Sequence, residues 1–249
     1  MLALLALLPI GAGQAQGVLT PDYDGICGLG RQSDTGCADI RARRIADAAQ
    51  APWRAIGRVN FAGPETRLHC TGVLVAERLV LTAAHCLYNQ ARKRWIPPGA
   101  VQFVAGYQRG EATASSPVRR YRLDPKQGVG GGFHPDLALD WAVLELVQPL
   151  GRSIGMLPVT LPGESGFVAG YSGLRPHVLS VTGECPVSRG TDGALRGICP
   201  VMRGDSGAPL LSGSPEQPAV AAIVSRIAPT AEGVSVLFLP VAMFDLNQE

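Results

Sequence analysis

Apolar residues recur along this chain in short runs of four to six positions, at 54–59, 71–75, 79–82, 101–105, 141–146, 178–182, 219–224 and 234–239. Turn-forming residues separate them, so the pattern predicts strands. It is the pattern of a sandwich or barrel, not of alternating βαβ units. The last segment, 241–249, reads as a short helix. Residues 16–44 differ from the strand-rich remainder of the chain. They are rich in Gly, Asp and Arg and carry no convincing strand. Their charges cancel, with Arg31, Arg41, Arg43 and Arg44 set against Asp22, Asp24, Asp34 and Asp39. No internal repeat is evident.

Size and composition narrow the class. The chain has 249 residues, of which 46% are hydrophobic, enough to fill the core of one large all-β domain. Charged residues are 17% and the net charge is +2, so nothing calls for nucleic acid or an anionic membrane as partner. The frequent glycines (31) and prolines (20) fit many short strands joined by turns. The apolar start, Met1-Leu2-Ala3-Leu4-Leu5-Ala6-Leu7-Leu8, precedes Gly11-Ala12-Gly13-Gln14-Ala15. This is the form of a secretory signal over 1–15 with cleavage after Ala15, although it lacks the usual positive leader. It is too short to span a bilayer, and no later segment is apolar for long enough. Six cysteines agree with a secreted or periplasmic location. Cys185 and Cys199, fourteen apart, form an expected pair, and Cys27 and Cys37 could close a small loop by themselves. Fifteen pairings are formally possible for six cysteines.

Two strings carry the chemistry. Leu81-Thr82-Ala83-Ala84-His85-Cys86 puts a histidine at the end of an apolar strand. Gly204-Asp205-Ser206-Gly207-Ala208-Pro209-Leu210 puts a serine in a glycine-flanked turn. A serine hydroxyl is a poor nucleophile until a neighbouring base takes its proton. Together the strings resemble the histidine and serine blocks of the trypsin-like (chymotrypsin-fold) serine proteases, and point to a secreted bacterial member. The resemblance covers 45–249. It implies an all-β fold of two packed six-stranded antiparallel β-barrels with a short C-terminal helix. Barrel one would span about 45–155 and barrel two about 156–249, with the seam near 150–162. It also implies a Cys70–Cys86 disulfide bracketing the strand that leads to His85.

By the same resemblance His85 is the general base and Ser206 the nucleophile of an acyl-enzyme mechanism, with Gly204 and Ser206 N–H groups as the oxyanion hole. The third member is Asp136 or Asp140. Asp140 is favoured because it opens the apolar run Trp141-Ala142-Val143-Leu144, whereas choosing Asp136 would leave Asp140 inside a buried strand. Ser225 matches a serine that supports this aspartate and opens the strand that pairs with substrate. Arg44-Ile45 resembles an activation site, where a freed Ile45 amine would fold inward onto Asp205. The two glycines usual after such a cut are missing, and the alternative is an amphipathic helix through 40–49 without cleavage. With cleavage, a Cys27–Cys37 loop would leave with a propeptide at 16–44.

The specificity pocket departs from trypsins. Pro200 stands where they carry an aspartate, and Met202 replaces a bracing cysteine. Ser225, Arg226 and Ile227 should form the opposite wall, Arg226 either favouring an acidic substrate residue or facing solvent. Cleavage after Arg or Lys is therefore not the expected preference. The expected substrate is a polypeptide, the expected enzyme a monomer without cofactor. His69-Cys70 and His85-Cys86 match no zinc spacing, so no metal is expected. Ala208 breaks the G-x-S-x-G pattern of α/β-hydrolases. Arg92-Lys93-Arg94 and Arg119-Arg120 read as solvated loops, and Gly130 to Gly132 as a flexible loop. The alternative function is a catalytically silent, protease-like binding module.

Overall fold

A computed structural model describes residue 27, residues 36–62 and residues 67–246. The expected signal peptide at 1–15, and 16–26 and 28–35 of the extension, lie outside the described residues.

The first six long strands are β1 (Ile56–Ala62), β2 (Arg67–Leu74), β3 (Leu79–Thr82), β4 (Val101–Ala105), β5 (Ala114–Leu123) and β6 (Ala142–Leu146). They close into an antiparallel barrel in the order β1-β2-β3-β6-β5-β4. In β4 the side chains of Val101, Phe103 and Ala105 point into the core while Gln102 is exposed, the period of two that a half-buried strand imposes. The second six are β7 (Ser165–Gly170), β8 (Cys185–Arg189), β9 (Leu195–Ile198), β10 (Pro209–Ser214), β11 (Gln217–Thr230) and β12 (Gly233–Pro240). They close in the order β7-β8-β9-β12-β11-β10, the strand order of barrel one repeated. This is the all-β, two-barrel architecture expected.

A connection containing the short helix α2 (Leu150–Ile154) joins β6 to β7. The expected C-terminal helix is a single 3-10 turn, Val241–Met243, and 247–249 lie outside the described residues. The run at 178–182 contributes only the two-residue strand Ser180–Val181. That strand lies between β7 and the strand Arg44–Ile45. Arg119 and Arg120, expected in a loop, lie in β5, exposed and paired with Glu145.

Residues 36–44 do not stand apart from the barrels. A short helix α1 (Cys37–Ala42) buries Ile40 completely. Ile40 packs in the core of barrel two with Val168, Leu210, Val224 and Phe238. The amphipathic helix considered for 40–49 exists only in part: α1 stops at Ala42 and an extended strand comes next.

Candidate active site

The strand β3 ends at Thr82, and a 3-10 turn, Ala84–Leu87, carries His85. Two links fix that turn. The Cys70–Cys86 disulfide ties it to β2, and the Ala84 N–H donates to the Asp140 carbonyl at 3.2 Å. Asp140 sits between a 3-10 turn, Leu137–Leu139, and β6, with its side chain 1% exposed. It accepts from the His85 backbone N–H (2.8 Å), from His85 Nδ1 (2.8 Å to Oδ2) and from Ser225 Oγ (2.6 Å). A carboxylate can only accept, so Nδ1 carries a hydrogen toward Asp140 and Nε2 is the ring nitrogen that faces away from it. Asp136 does something else: its carboxylate accepts from the Ala138 N–H and caps the start of the Leu137–Leu139 turn.

Ser225 reaches Asp140 because β11 is irregular there. Val224 opposes Phe238 and Arg226 opposes Leu237, which leaves Ser225 as the extra residue of a bulge. Bulges re-aim side chains, and this one turns a strand serine toward the buried acid.

Ser206 lies in a tight turn between β9 and β10. Gly204 has φ +96° and Gly207 φ +75°, values that a side-chain-bearing residue adopts only with strain. A Cβ at Gly207 would also collide with Thr82 Oγ1 and the Thr71 carbonyl, so the serine turn rests directly on the strand ends that lead to His85. Among the described residues, the Gly204 and Ser206 N–H groups donate to no protein acceptor. The Arg203 carbonyl accepts from the Gly173 N–H at 2.7 Å. In a trans peptide the N–H points opposite to the carbonyl, so the Gly204 N–H is turned away from Gly173. Both N–H groups are thus left without a protein acceptor, as the donors of an oxyanion hole must be.

One residue of this frame escaped the sequence reading. Thr71, fully buried in β2, donates its N–H to the Ser206 carbonyl (2.9 Å) and its hydroxyl to the Gly204 carbonyl (2.9 Å). The hydroxyl also accepts from the Tyr171 N–H (3.0 Å), and the Thr71 carbonyl accepts from Thr82 Oγ1 (2.8 Å). It couples the two barrels at the serine turn. A threonine beside a cysteine in an apolar run carries no signal of that role.

In the uncut chain Asp205 has a partner other than the Ile45 amine expected after a cut at Arg44. Ile45 is 47% exposed and lies opposite Ser180 in a strand pair. The Asp205 carboxylate instead accepts from Arg43 Nη1 at 2.7 Å, with both side chains fully buried, and from the Met202 N–H at 2.9 Å. Arg43 Nε and Asp205 Oδ1 have no hydrogen-bond partner among the described residues.

Pro200 is half-buried, Arg226 is exposed, and Ile227 packs partly buried against the barrel-two core. Val236, opposite Ile227 on β12, is buried. Cys185 pairs with Cys199 and Cys27 with Cys37. The grouping of potential metal ligands among the described residues is Cys70, His85 and Cys86, and both sulfurs are spent in the disulfide. Two depressions, of about 430 and 370 Å³, lie beside Thr182 and beside Thr113, and His85 lines neither.

Known proteins share this fold and lineage. A family model, Trypsin, matches residues 42–175, just over half of the chain, including His85 and Asp140 but ending before Ser206. Serine protease 56 of Homo sapiens is 32% identical over 151 residues, 58% of this chain and 22% of that protein. Serine protease SP24D of Anopheles gambiae is 38% identical over 96 residues, 38% of this chain and 31% of that protein. The chain thus spans about a third or less of these relatives' own length. Among solved structures, a Glu endopeptidase superposes with a TM-score of 0.63 at 20% identity, over 80% of this chain and 91% of that one. Protease Anisep of Arthrobacter nicotinovorans gives 0.62 at 20% identity, over 77% and 91%. Those two likenesses establish the two-barrel fold, and the match over 42–175 establishes the lineage: the chain belongs to the trypsin family of serine proteases.

Proposed function

We propose that this chain is a secreted serine endopeptidase that hydrolyses peptide bonds through an acyl-enzyme on Ser206. The observation that carries the proposal is the triple use of Asp140, which holds the His85 ring by Nδ1 and by its own backbone while Ser225 holds the carboxylate. The imidazole is thereby oriented with Nε2 free to take the Ser206 proton and later return it to the leaving amine. The Gly204 and Ser206 amides receive the charge that develops on the carbonyl oxygen; losing one such donor typically costs about 3–4 kcal/mol of barrier.

On substrate choice, the pocket side formed by Pro200, Ile227 and Val236 offers no acid to a basic residue, so cleavage after Arg or Lys is not the preferred activity. The exposed Arg226 makes an acidic residue next to the scissile bond the arm to compare with small apolar ones. The disulfides suit an oxidising compartment, and no described helix is long and apolar enough to cross a membrane.

A fluorophosphonate probe tests the reaction class. The expected result is labelling at Ser206, lost in Ser206→Ala, together with hydrolysis of a denatured protein mixture whose cleavage sites give the specificity. Absence of both labelling and hydrolysis would leave the silent binding module in its place, and a strong Arg/Lys preference would refute the pocket reading.

A further inference from the structure

We propose that Arg43 is a built-in cation that holds the oxyanion loop in its working form, so that this chain needs no cut after Arg44. The inference rests on the serine protease function proposed for Ser206. Asp205 stands between the two oxyanion donors, Gly204 and Ser206, and its carboxylate is buried. A buried carboxylate is tolerated when a cation and hydrogen bonds compensate it. Arg43 supplies that cation through Nη1 at 2.7 Å. Its other contacts spread along the same loop and its supports: Nη2 donates to the Ser180 carbonyl (2.6 Å) and the Gly170 carbonyl (3.4 Å), and Nη1 to the Pro200 carbonyl (3.5 Å). One guanidinium thus joins the pocket base at Pro200, the serine turn at Asp205 and the strand β7 at Gly170.

The segment that delivers Arg43 is anchored on both sides. Before it, α1 inserts Ile40 into the barrel-two core. After it, Arg44 and Ile45 pair with Val181 and Ser180, and the Ala46 N–H donates to the Leu179 carbonyl at 3.0 Å. Arg175 clamps it from the facing loop, donating to the Arg43 carbonyl at 2.9 Å and to the Arg41 carbonyl. A freed Ile45 amine would have to leave that strand pairing and enter a site already holding a positive charge. Ile40 and Arg43 therefore belong to the working fold, and release of their segment as a propeptide would remove the loop's counterion.

Two variants test this. Arg44→Gln removes the cleavage point at an exposed residue. It is expected to be purified with Ile45 internal by mass spectrometry, to label fully with fluorophosphonate, and to keep kcat within about twofold of wild type. Arg43→Met, checked for folding by circular dichroism, is expected to lose about 10²–10³-fold in kcat with KM moved far less, the mark of a lost oxyanion donor. Added ethylguanidinium should restore part of that loss. Should Arg43→Met not fold, Arg44→Gln decides alone. The inference is overturned if folded Arg43→Met keeps wild-type kcat, or if Arg44→Gln is silent while wild type becomes active once Ile45 is freed; the second result leaves the protease function intact. A wild type that neither labels nor hydrolyses in either form overturns that function and this inference with it.

Discussion

The two barrels share one strand order but differ in how each holds its share of the site. Barrel one presents His85 and Asp140 from turns that a disulfide and short hydrogen bonds pin directly. Its buried acid faces a histidine side chain that is 26% exposed. Barrel two presents Ser206 from a loop whose buried acid faces a fully buried arginine. That arginine comes from outside the barrel's six strands, on a segment whose helix also fills the barrel core. Identical topology therefore yields one half whose acid is steadied across the seam by Ser225 of β11 and another that borrows a counterion and a core residue from the chain's N-terminal side.

The comparison breaks most sharply at the barrel-one acid. Asp140→Asn keeps the shape but leaves His85 free to present the wrong nitrogen to Ser206. We expect kcat to fall about 10⁴-fold while substrate affinity and melting temperature move little. Steady-state kinetics at saturating peptide measures it, and a fall under tenfold would mean that Asp140 does not set the tautomer.

The borrowed core residue comes next. Ile40→Ala should destabilise the fold by about 2–5 kcal/mol, the range for truncating a buried Ile. Ile56→Ala, equally buried in barrel one, should cost a similar amount. The distinction lies in where the structure loosens. Hydrogen exchange should speed up in β7 to β12 for Ile40→Ala and in β1 to β6 for Ile56→Ala. Equal loosening of both barrels by Ile40→Ala would show that α1 is not tied to barrel two in particular.

The seam residue is a smaller lever. Thr71→Val keeps the volume but removes the hydroxyl that serves the Gly204 carbonyl and the Tyr171 N–H. Each buried group left without its partner costs about 1–3 kcal/mol. Part of that cost should appear in kcat, because the proposed function makes Gly204 an oxyanion donor. Thr71→Ser, which keeps the hydroxyl, should recover most of it. If Val and Ser variants behave alike, the hydroxyl does not couple the barrels.

Legibility in the sequence divides along the same line. Five of the barrel-one strands stand out as apolar runs. The exception is β5, where Pro117 and the exposed Arg119 and Arg120 mask a strand that is bulged and only partly buried. Barrel two is harder: β7 (Ser-Gly-Phe-Val-Ala-Gly), β8 and β10 mix Gly, Ser and Pro with few large apolar residues. They are strands because their neighbours complete a closed sheet, a tertiary condition that no local run reports. His85, Asp140, Ser206 and Ser225 were legible because short motifs carry them. Arg43 was not. In the sequence it is one of four arginines balanced by four aspartates, and only the fold separates the buried one, facing Asp205, from exposed Arg44 beside it.

The smallest effect we expect concerns pH, and it sits where barrel one touches the oxyanion loop. His69, on β2, has Nε2 3.1 Å from the Tyr171 carbonyl, and a Cβ added at Gly204 would come within 2.8 Å of it. Burial lowers its pKa, and the nearby Arg58 guanidinium pushes the same way; the Tyr171 carbonyl and Asp205 oppose them, and Arg203 adds to the lowering. The unfolded chain takes up a proton at His69 near the ordinary value of about 6.5, before the folded chain does. The unfolded state is then favoured as pH drops. Stability linked to His69 is fully present above about pH 6.5 and is lost as pH falls from there toward the lowered folded value. His69→Gln keeps an N–H for Tyr171 but cannot titrate, so its urea midpoint should fall less between pH 7 and 5 than that of wild type. Parallel midpoints across that window would mean that His69 charges as easily in the folded protein as in the unfolded chain. The seam would then lack the low-polarity character that its burial implies.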